Sequence, residues 1–115
     1  MESFIDTYSF EQRIGESTKM FQKKPNSICT IVEKSQNSNI TRMDKKKFLI
    51  PKDLTIGQFI YIVRKRIQLQ PEQAIFIFVN NILPASSCTI SQIYDKYQNE
   101  DGFLYMKYSS ENTFG

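Results

Sequence analysis

The residue types that perform most acid–base and metal chemistry are scarce in this chain. Histidine is absent, which removes the commonest general base, the Ser–His and Cys–His dyads and every His-containing metal site. Cys29 and Cys88 are far apart and lie outside any Cys-x-x-Cys spacing, so neither a zinc site nor a disulfide framework is expected. Both lie in apolar runs, which indicates reduced core thiols in a reducing compartment. The sequence therefore predicts a protein that is not an enzyme and that needs no cofactor or metal ion.

The C-terminal glycine is the residue whose position could still take part in chemistry. Gly115 ends a polar segment, residues 109–115, and a free chain end of this kind can enter the active site of another enzyme. Because glycine has no side chain, a C-terminal glycine can pass through a narrow channel. The simpler alternative, a glycine that merely ends a disordered tail, stays open at this point.

Length and charge place this chemistry on one small domain. The 115 residues suit a single core, and a net charge of +3 permits acidic partners without requiring nucleic acid. The longest apolar runs fall well short of the roughly 20 residues that cross a membrane, and the N-terminus lacks the pattern of a secretory signal. A cytoplasmic location is expected.

Three helix starts share one signature, a hydroxyl residue followed three positions later by glutamine. Ser9, Thr55 and Thr89 each begin such a capping box. After Thr55, apolar residues recur with the spacing of an amphipathic helix, and Ser9 is followed by an apolar stripe of Phe10, Ile14 and Phe21. The predicted helices run from Ser9 to before Pro25, from Thr55 to near Gln68 and from Thr89 to Tyr97, with a short turn or helix at residues 3–7.

Four apolar runs between these helices predict strands. They cover residues 28–33, 47–50, 75–79 and 103–108, and the first two form a hairpin. A hairpin, a crossover helix and two further strands describe an α+β fold, the ubiquitin-like β-grasp, with a four-stranded mixed sheet and two additional N-terminal helices. The expected order, second–first–fourth–third, leaves the 47–50 strand at an open edge. We expect a helical extension at 1–25, the β-grasp domain at 26–108 and a flexible tail at 109–115.

Five sequence segments resemble one family in the same order along the chain. They are DKKKFLIP (44–51), DLTIGQF (53–59), IVRKRI (62–67), IFIFVN (75–80) and EDGFLY (100–105). Together they resemble the autophagy ubiquitin-like modifiers, which comprise the yeast autophagy modifier and its GABA-receptor-associated and microtubule-associated light-chain relatives. The resemblance runs from about Phe10 to Gly115.

The resemblance implies an activity and a set of partners. It implies that Gly115 is joined to the amine of phosphatidylethanolamine and that the protein recruits cargo receptors with aromatic-x-x-aliphatic motifs. The implied partners are ubiquitin-like activating and conjugating enzymes, a cysteine protease for delipidation and phosphatidylethanolamine membranes, with no nucleic acid. The lipidated form is expected on the autophagosome membrane. A noncovalent ubiquitin-like adaptor, for which Gly115 is incidental, is the alternative.

Site residues also follow from the resemblance, because a peptide can add a strand at an open sheet edge. The implied aromatic pocket is lined by Glu16, Met20, Ile31, Lys47, Leu49 and Phe103. The implied aliphatic pocket is lined by Phe48, Ile50, Pro51, Leu54, Phe59, Ile62 and Arg66. The resemblance further implies that Lys45 and Lys47 meet acidic ligand residues, and that Phe76, Ile77 and Phe78 form a second docking surface for helical motifs.

Simpler structural roles compete with these assignments. The residues that would be core in any β-grasp domain are Phe48, Ile50, Leu54 and Phe59, and a run of lysines protects an edge strand from unwanted pairing. Three residues, Met20, Ser27 and Cys29, depart from the pattern of the family, and their effect on ligand selectivity stays open. Whether Gly115 is the natural terminus or a processing product also stays open.

Overall fold

The computed structural model describes residues 3–112. Along the chain the helices and strands are α1 (Phe4–Thr7), α2 (Phe10–Lys23), β1 (Ser27–Lys34), β2 (Lys47–Pro51), α3 (Ile56–Arg66), β3 (Phe76–Phe78), α4 (Ile90–Tyr97) and β4 (Leu104–Ser109). The predicted order of elements is confirmed. β4 continues to Ser109, one residue into the segment predicted as a flexible tail.

The helix starts follow the local hydrogen bonds that the sequence predicts. In each of α2, α3 and α4 the hydroxyl of the N-cap residue accepts the N–H of the third helical residue, and that glutamine side chain accepts the N–H of the cap. The capping boxes at Ser9, Thr55 and Thr89 are therefore confirmed. Helix α3 ends at Arg66, before the predicted Gln68, since Gln68 takes a left-handed backbone with φ of 54°.

The described residues form a four-stranded sheet in the order β2–β1–β4–β3. β1 pairs antiparallel with β2 and parallel with β4, and β3 pairs antiparallel with β4. The predicted mixed β-grasp sheet is confirmed, with β2 as an edge strand. This edge and the two sheet faces beside it position the candidate site.

Each face of the sheet carries its own apolar cluster, because successive strand residues point to opposite faces. The larger core joins β-strand residues such as Phe48 and Ile50 to α3 and α4. The smaller cluster contains Phe4, Cys29, Ile31 and Phe103, with Met20, Phe21, Leu49 and Tyr105 packed against it. Helices α1 and α2 thus cover the face of the sheet opposite α3.

The apolar stripe of α2 packs against the sheet at only one of its three residues. Phe10 and Ile14 are 44% and 38% exposed, whereas Phe21 packs against both apolar clusters. The first turns of α2 are instead held by polar contacts, in which Arg13 Nη1 donates to Asp101 Oδ2 at 2.6 Å. The start of α2 is therefore held on the sheet by a buried ion pair, which the apolar periodicity of the sequence does not reveal.

Candidate functional site

Among residues 3–112, the backbone groups of strand β2 that point away from β1 have no partner strand. The Val32 N–H donates to the Lys46 carbonyl at 2.9 Å, so Val32 and Lys46 form a hydrogen-bonded pair of the antiparallel ladder. Hydrogen-bonded and non-hydrogen-bonded pairs alternate along such a ladder, and the backbone groups of Lys47 and Leu49 therefore point away from β1. Pro51 ends the edge, since proline has no N–H to offer.

The smaller cluster lies on one face of the sheet beside this edge. Ile31 and Phe103 are fully buried and form its base, and the half-buried side chains of Met20 and Leu49 pack against them. The structure thus brings together the apolar residues of the implied aromatic pocket. Their binding role stays a prediction.

An ion pair joins α2 to β2 next to this cluster. Lys47 Nζ donates to Glu16 Oε2 at 2.9 Å, and the two side chains are 46% and 35% exposed. Glu16 lies one helical turn before Met20, and Lys47 shares a strand face with Leu49, so the pair lies at the mouth of the cluster. The hydrogen bond from Lys47 is the main cause that lowers the pKa of Glu16. The Glu16 carboxyl is therefore charged at neutral pH.

The residues of the implied aliphatic pocket divide into a buried group and an exposed group. Phe48, Ile50 and Phe59 lie in the larger core, where the rings of Phe48 and Phe59 meet edge to face at 5.7 Å. Their surface is largely inaccessible to solvent, which agrees with the alternative that these three residues are ordinary core residues. Ile62 and Pro51 are exposed, so the accessible apolar surface lies toward the start of α3.

An open groove of ≈ 600 Å³ runs along that part of α3. Leu54 and Ile62, both assigned to the implied aliphatic pocket, line it together with residues that sequence reasoning missed. The missed lining residues are Thr55, Gly57, Gln58, Tyr61, Ser86 and Ser87. Ser86 and Ser87 come from the segment before α4, and no local pattern relates that segment to α3.

Two cations approach the ring of Phe48. Lys45 Nζ lies 4.6 Å and Arg66 Cζ 5.7 Å from the ring centroid. The guanidinium of Arg66 also binds the carboxylate of Asp44, with Nε to Oδ1 at 2.8 Å and Nη2 to Oδ2 at 3.4 Å. Asp44 was not predicted as a site residue, although it begins the first of the family-like segments. The hydrogen bond from Arg66 is the main cause that lowers the pKa of Asp44.

The implied second docking surface lies on β3, at the other edge of the sheet. Ile77 and Phe78 are 1% and 4% exposed, and Phe76 is half-buried. The exposed apolar side chains of this region are Ile82 and Leu83, in the segment after β3. The side chains assigned to this surface therefore pack mostly inward, and the surface stays a prediction.

Helix α1 adds a residue to the smaller cluster that sequence reasoning missed. The ring of Phe4 meets that of Phe103 at 5.2 Å, and its N–H donates to Glu33 Oε2 at 2.8 Å. Lys46 Nζ lies 3.1 Å from the same carboxylate oxygen. The signal in the sequence is Ser3, whose hydroxyl caps this short helix by accepting the N–H of Asp6.

A buried carboxylate fixes α2 on the sheet. Asp101 accepts hydrogen bonds from Arg13, from the Tyr105 hydroxyl at 2.5 Å and from the Phe103 N–H at 2.9 Å. Ser17 donates to the Asp101 carbonyl at 2.6 Å. Burial, followed by the hydrogen bond to Asp101, raises the pKa of Tyr105. Since Glu16 and Met20 belong to the same helix, this network sets their position beside β2.

Other sequence expectations concern cysteines, metals, membranes and the chain end. Both cysteines are free thiols, with Cys29 buried and Cys88 half-buried. Residues 3–112 contain no group of three or more potential metal-ligating side chains, and none of their helices has the length and apolar character to cross a membrane. Gly115, the implied conjugation residue, lies outside the described residues.

Comparison with known proteins identifies the family of this chain. The family model described as "Autophagy protein Atg8 ubiquitin like" matches residues 12–115. Autophagy-related protein 8 of Schizosaccharomyces pombe is 54% identical over 112 residues, which cover 97% of this chain and 93% of that protein. The chain belongs to the Atg8 ubiquitin-like family. It is thus an autophagy-related, ubiquitin-like protein, and the family resemblance read from the sequence is confirmed.

Solved Atg8 structures share this fold. Atg8 of Trypanosoma brucei has a TM-score of 0.91 and 44% identity, and the match covers 100% of this chain and 99% of that one. Atg8 of Plasmodium falciparum, in complex with a P. falciparum Atg3 peptide, has a TM-score of 0.89 and 38% identity over 99% and 100% of the two chains. The sheet order and the α1–α2 cover described above therefore belong to an Atg8 fold.

Proposed function

We propose that this Atg8-family chain is an autophagy modifier conjugated through Gly115 to phosphatidylethanolamine. In this proposal it also recruits cargo receptors by binding aromatic-x-x-aliphatic peptides at the β2 edge. It is a substrate of activating and conjugating enzymes and of a delipidating cysteine protease. It acts in the cytoplasm and, once lipidated, on the autophagosome membrane. The open edge of β2, bordered by apolar residues on both sheet faces, is the observation that carries the peptide-binding part.

The spacing of the peptide motif matches the two faces of the sheet. In an extended peptide, residues three apart point to opposite faces. An added strand hydrogen-bonded to Lys47 and Leu49 would direct the aromatic residue toward the Met20 side and the aliphatic residue toward Leu54 and Ile62. Backbone pairing supplies affinity, and the two apolar sites select the side chains.

The expected affinity is moderate. Burial of one large apolar side chain contributes about 1.5 to 3 kcal/mol, and association offsets part of the sum through lost freedom. Two buried anchors and a few edge hydrogen bonds therefore suit a dissociation constant of roughly micromolar size. Such a contact is reversible, as a receptor-recruiting surface requires.

A similar protein supports peptide binding by this fold. The P. falciparum Atg8 neighbour is in complex with an Atg3 peptide. We propose that this chain likewise binds a peptide of its conjugating enzyme. Attachment to a lipid with two acyl chains would then hold the protein firmly on a membrane, at about 0.8 kcal/mol per buried CH₂, where one chain holds it only marginally.

Peptide binding at the β2 edge is tested by Leu49→Ala with Leu83→Ala as the matched control. Leu49 is half-buried beside the free edge, whereas Leu83 is 48% exposed in the segment after β3. We expect Leu49→Ala to weaken binding of a synthetic Trp-x-x-Leu dodecapeptide by roughly tenfold in calorimetry, and Leu83→Ala to leave it unchanged. Phe48→Ala is unsuitable, because it would remove a buried ring from the larger core. Equal binding of the peptide by both variants would contradict the assignment of the β2 edge as the peptide site.

Conjugation is tested by reconstitution. The protein is incubated with activating enzyme, conjugating enzyme, ATP and phosphatidylethanolamine liposomes, and adducts are followed by gel shift and mass spectrometry. We expect the unmodified chain to form the thioester and the lipid adduct, and Gly115→Ala to lose both while still binding the peptide. If the unmodified chain forms neither adduct, or Gly115→Ala forms both, the noncovalent adaptor is the better description.

A further inference from the structure

An internal carboxylate, that of Asp44, binds Arg66, one of the two cations that approach the Phe48 ring on the aliphatic side of the β2 edge. Arg66 lies one turn after the groove residue Ile62 on α3, and its guanidinium is 5.7 Å from the Phe48 ring. Both Nε and Nη2 of Arg66 donate to the Asp44 carboxylate. This two-point geometry is the one with which arginine recognises a carboxylate of any origin, including one on a ligand.

We propose that Asp44 is an internal competitor for Arg66 and sets how strongly the groove prefers peptides with an acidic residue beside the aliphatic anchor. The inference rests on the proposed peptide-binding function. Asp44 is a specificity-determining residue that acts through Arg66. A peptide carboxylate takes its place on the guanidinium, whereas a peptide without one leaves the Asp44–Arg66 pair intact.

The exposure of the pair makes this exchange feasible. The side chain of Asp44 is 74% exposed and that of Arg66 is 35% exposed. An ion pair this open to solvent is screened and weak, so a second carboxylate can replace the first at little cost in desolvation. Asp44 lies three residues before Lys47, in the segment that leads into the free edge strand, so a peptide along β2 passes close to it.

The test combines Asp44→Asn with a peptide series. One Asp is placed in turn at each position between the anchors of a Trp-x-x-Leu peptide and at the two positions after Leu, and each peptide has an Asn twin. We expect Asp44→Asn to raise affinity for at least one Asp peptide by roughly two- to fivefold, the range of an exposed ion pair, and to leave its Asn twin unchanged. In Arg66→Gln, with or without Asp44→Asn, the Asp peptide and its Asn twin should bind with equal affinity.

Asp53→Asn is the matched control for charge. Asp53 is also exposed and precedes the groove residue Leu54, so its replacement removes the same negative charge near the site. We expect it to change each Asp peptide and its Asn twin by the same factor. If Asp44→Asn and Asp53→Asn act alike, the effect is long-range attraction and the competitor role of Asp44 is refuted. If the unmodified chain binds none of the peptides, the proposed function fails instead.

The Asp44 carboxyl itself offers a second measurement. Arg66 and, to a smaller extent, Lys45 lower its pKa in the free protein. When the favoured Asp peptide saturates the groove, displacement should raise this pKa toward its ordinary value, as followed by the ¹³C shift of the Asp44 carboxyl. With the Asn twin the pKa should stay low. An identical titration with both peptides would mean that Asp44 keeps Arg66, which overturns the proposal.

Discussion

Replacement of Asp101 by asparagine tests how α2 is held against the sheet. The Asp101 side chain is fully buried, and that of its partner Arg13 is 11% exposed. The carboxylate also accepts the Tyr105 hydroxyl and the Phe103 N–H. Asp101→Asn therefore leaves a nearly buried guanidinium without its charge partner, in a site that was built around an anion.

The expected loss of stability follows from this burial. Removal of one partner of a buried ion pair typically lowers the free energy of unfolding by about 3 to 5 kcal/mol, since the remaining charge stays desolvated. Tyr105→Phe removes one hydrogen bond to the same carboxylate but no charge, so we expect a loss of about 1.5 to 3 kcal/mol. The two variants should thus rank in that order.

Urea unfolding followed by far-ultraviolet circular dichroism provides the measurement. Asp95→Asn, which removes an exposed carboxylate from α4, is the control and should leave the unfolding midpoint nearly unchanged. Because α2 also carries Met20 and Glu16, Asp101→Asn should further weaken binding of the Trp-x-x-Leu peptide. A loss below about 1 kcal/mol in Asp101→Asn would refute the reasoning, because such a small value describes a solvent-exposed pair.

Further predictions concern two glycines and two cysteines. Gly102 has a φ of 91°, and an added Cβ would lie 2.6 Å from Ser17 Oγ, so Gly102→Ala should lower the free energy of unfolding by about 1 to 3 kcal/mol. Gly15 lies inside α2 with nothing within 4 Å of an added Cβ, so Gly15→Ala should raise the free energy of unfolding by about 0.5 to 1 kcal/mol in the same urea titration. Equal effects of Gly102→Ala and Gly15→Ala would contradict the expected opposite signs. Cys29 is fully buried and burial raises the pKa of its thiol to about 12, so iodoacetamide should label Cys88 first in the native protein and both thiols alike in urea. Native labelling of Cys29 at the rate of Cys88 would contradict its burial.

The start of each longer helix could be read from the sequence because its cause is local. A capping box needs two side chains three residues apart, and Ser9, Thr55 and Thr89 each have the required glutamine. The strand order could also be anticipated, since a hairpin and a crossover helix allow few arrangements of a small sheet. The alternation that directs Lys47 and Leu49 to one face and Phe48 and Ile50 to the other follows from the strand repeat itself.

The candidate site was only partly accessible from the sequence. The family resemblance supplied the groups around Leu49 and Ile62, but it did not separate buried residues from exposed ones. Phe59 belongs to the core, whereas Tyr61, two residues later, lines the groove. Burial depends on which elements pack against a residue, and that packing is not written in the spacing of one helix.

The amino-acid sequence by itself determined the elements, their caps, the alternating faces of β2 and the family, because these depend on neighbouring residues or on whole segments. Only the tertiary structure decided which charges meet. Asp44 and Arg66 are 22 residues apart, and Arg13 and Asp101 are 88 apart. Such ion pairs form when elements distant in the sequence pack together, so no local sequence pattern predicts them. The docking of α2 and of the segment before β2 therefore sets the shape and the charge of the free edge.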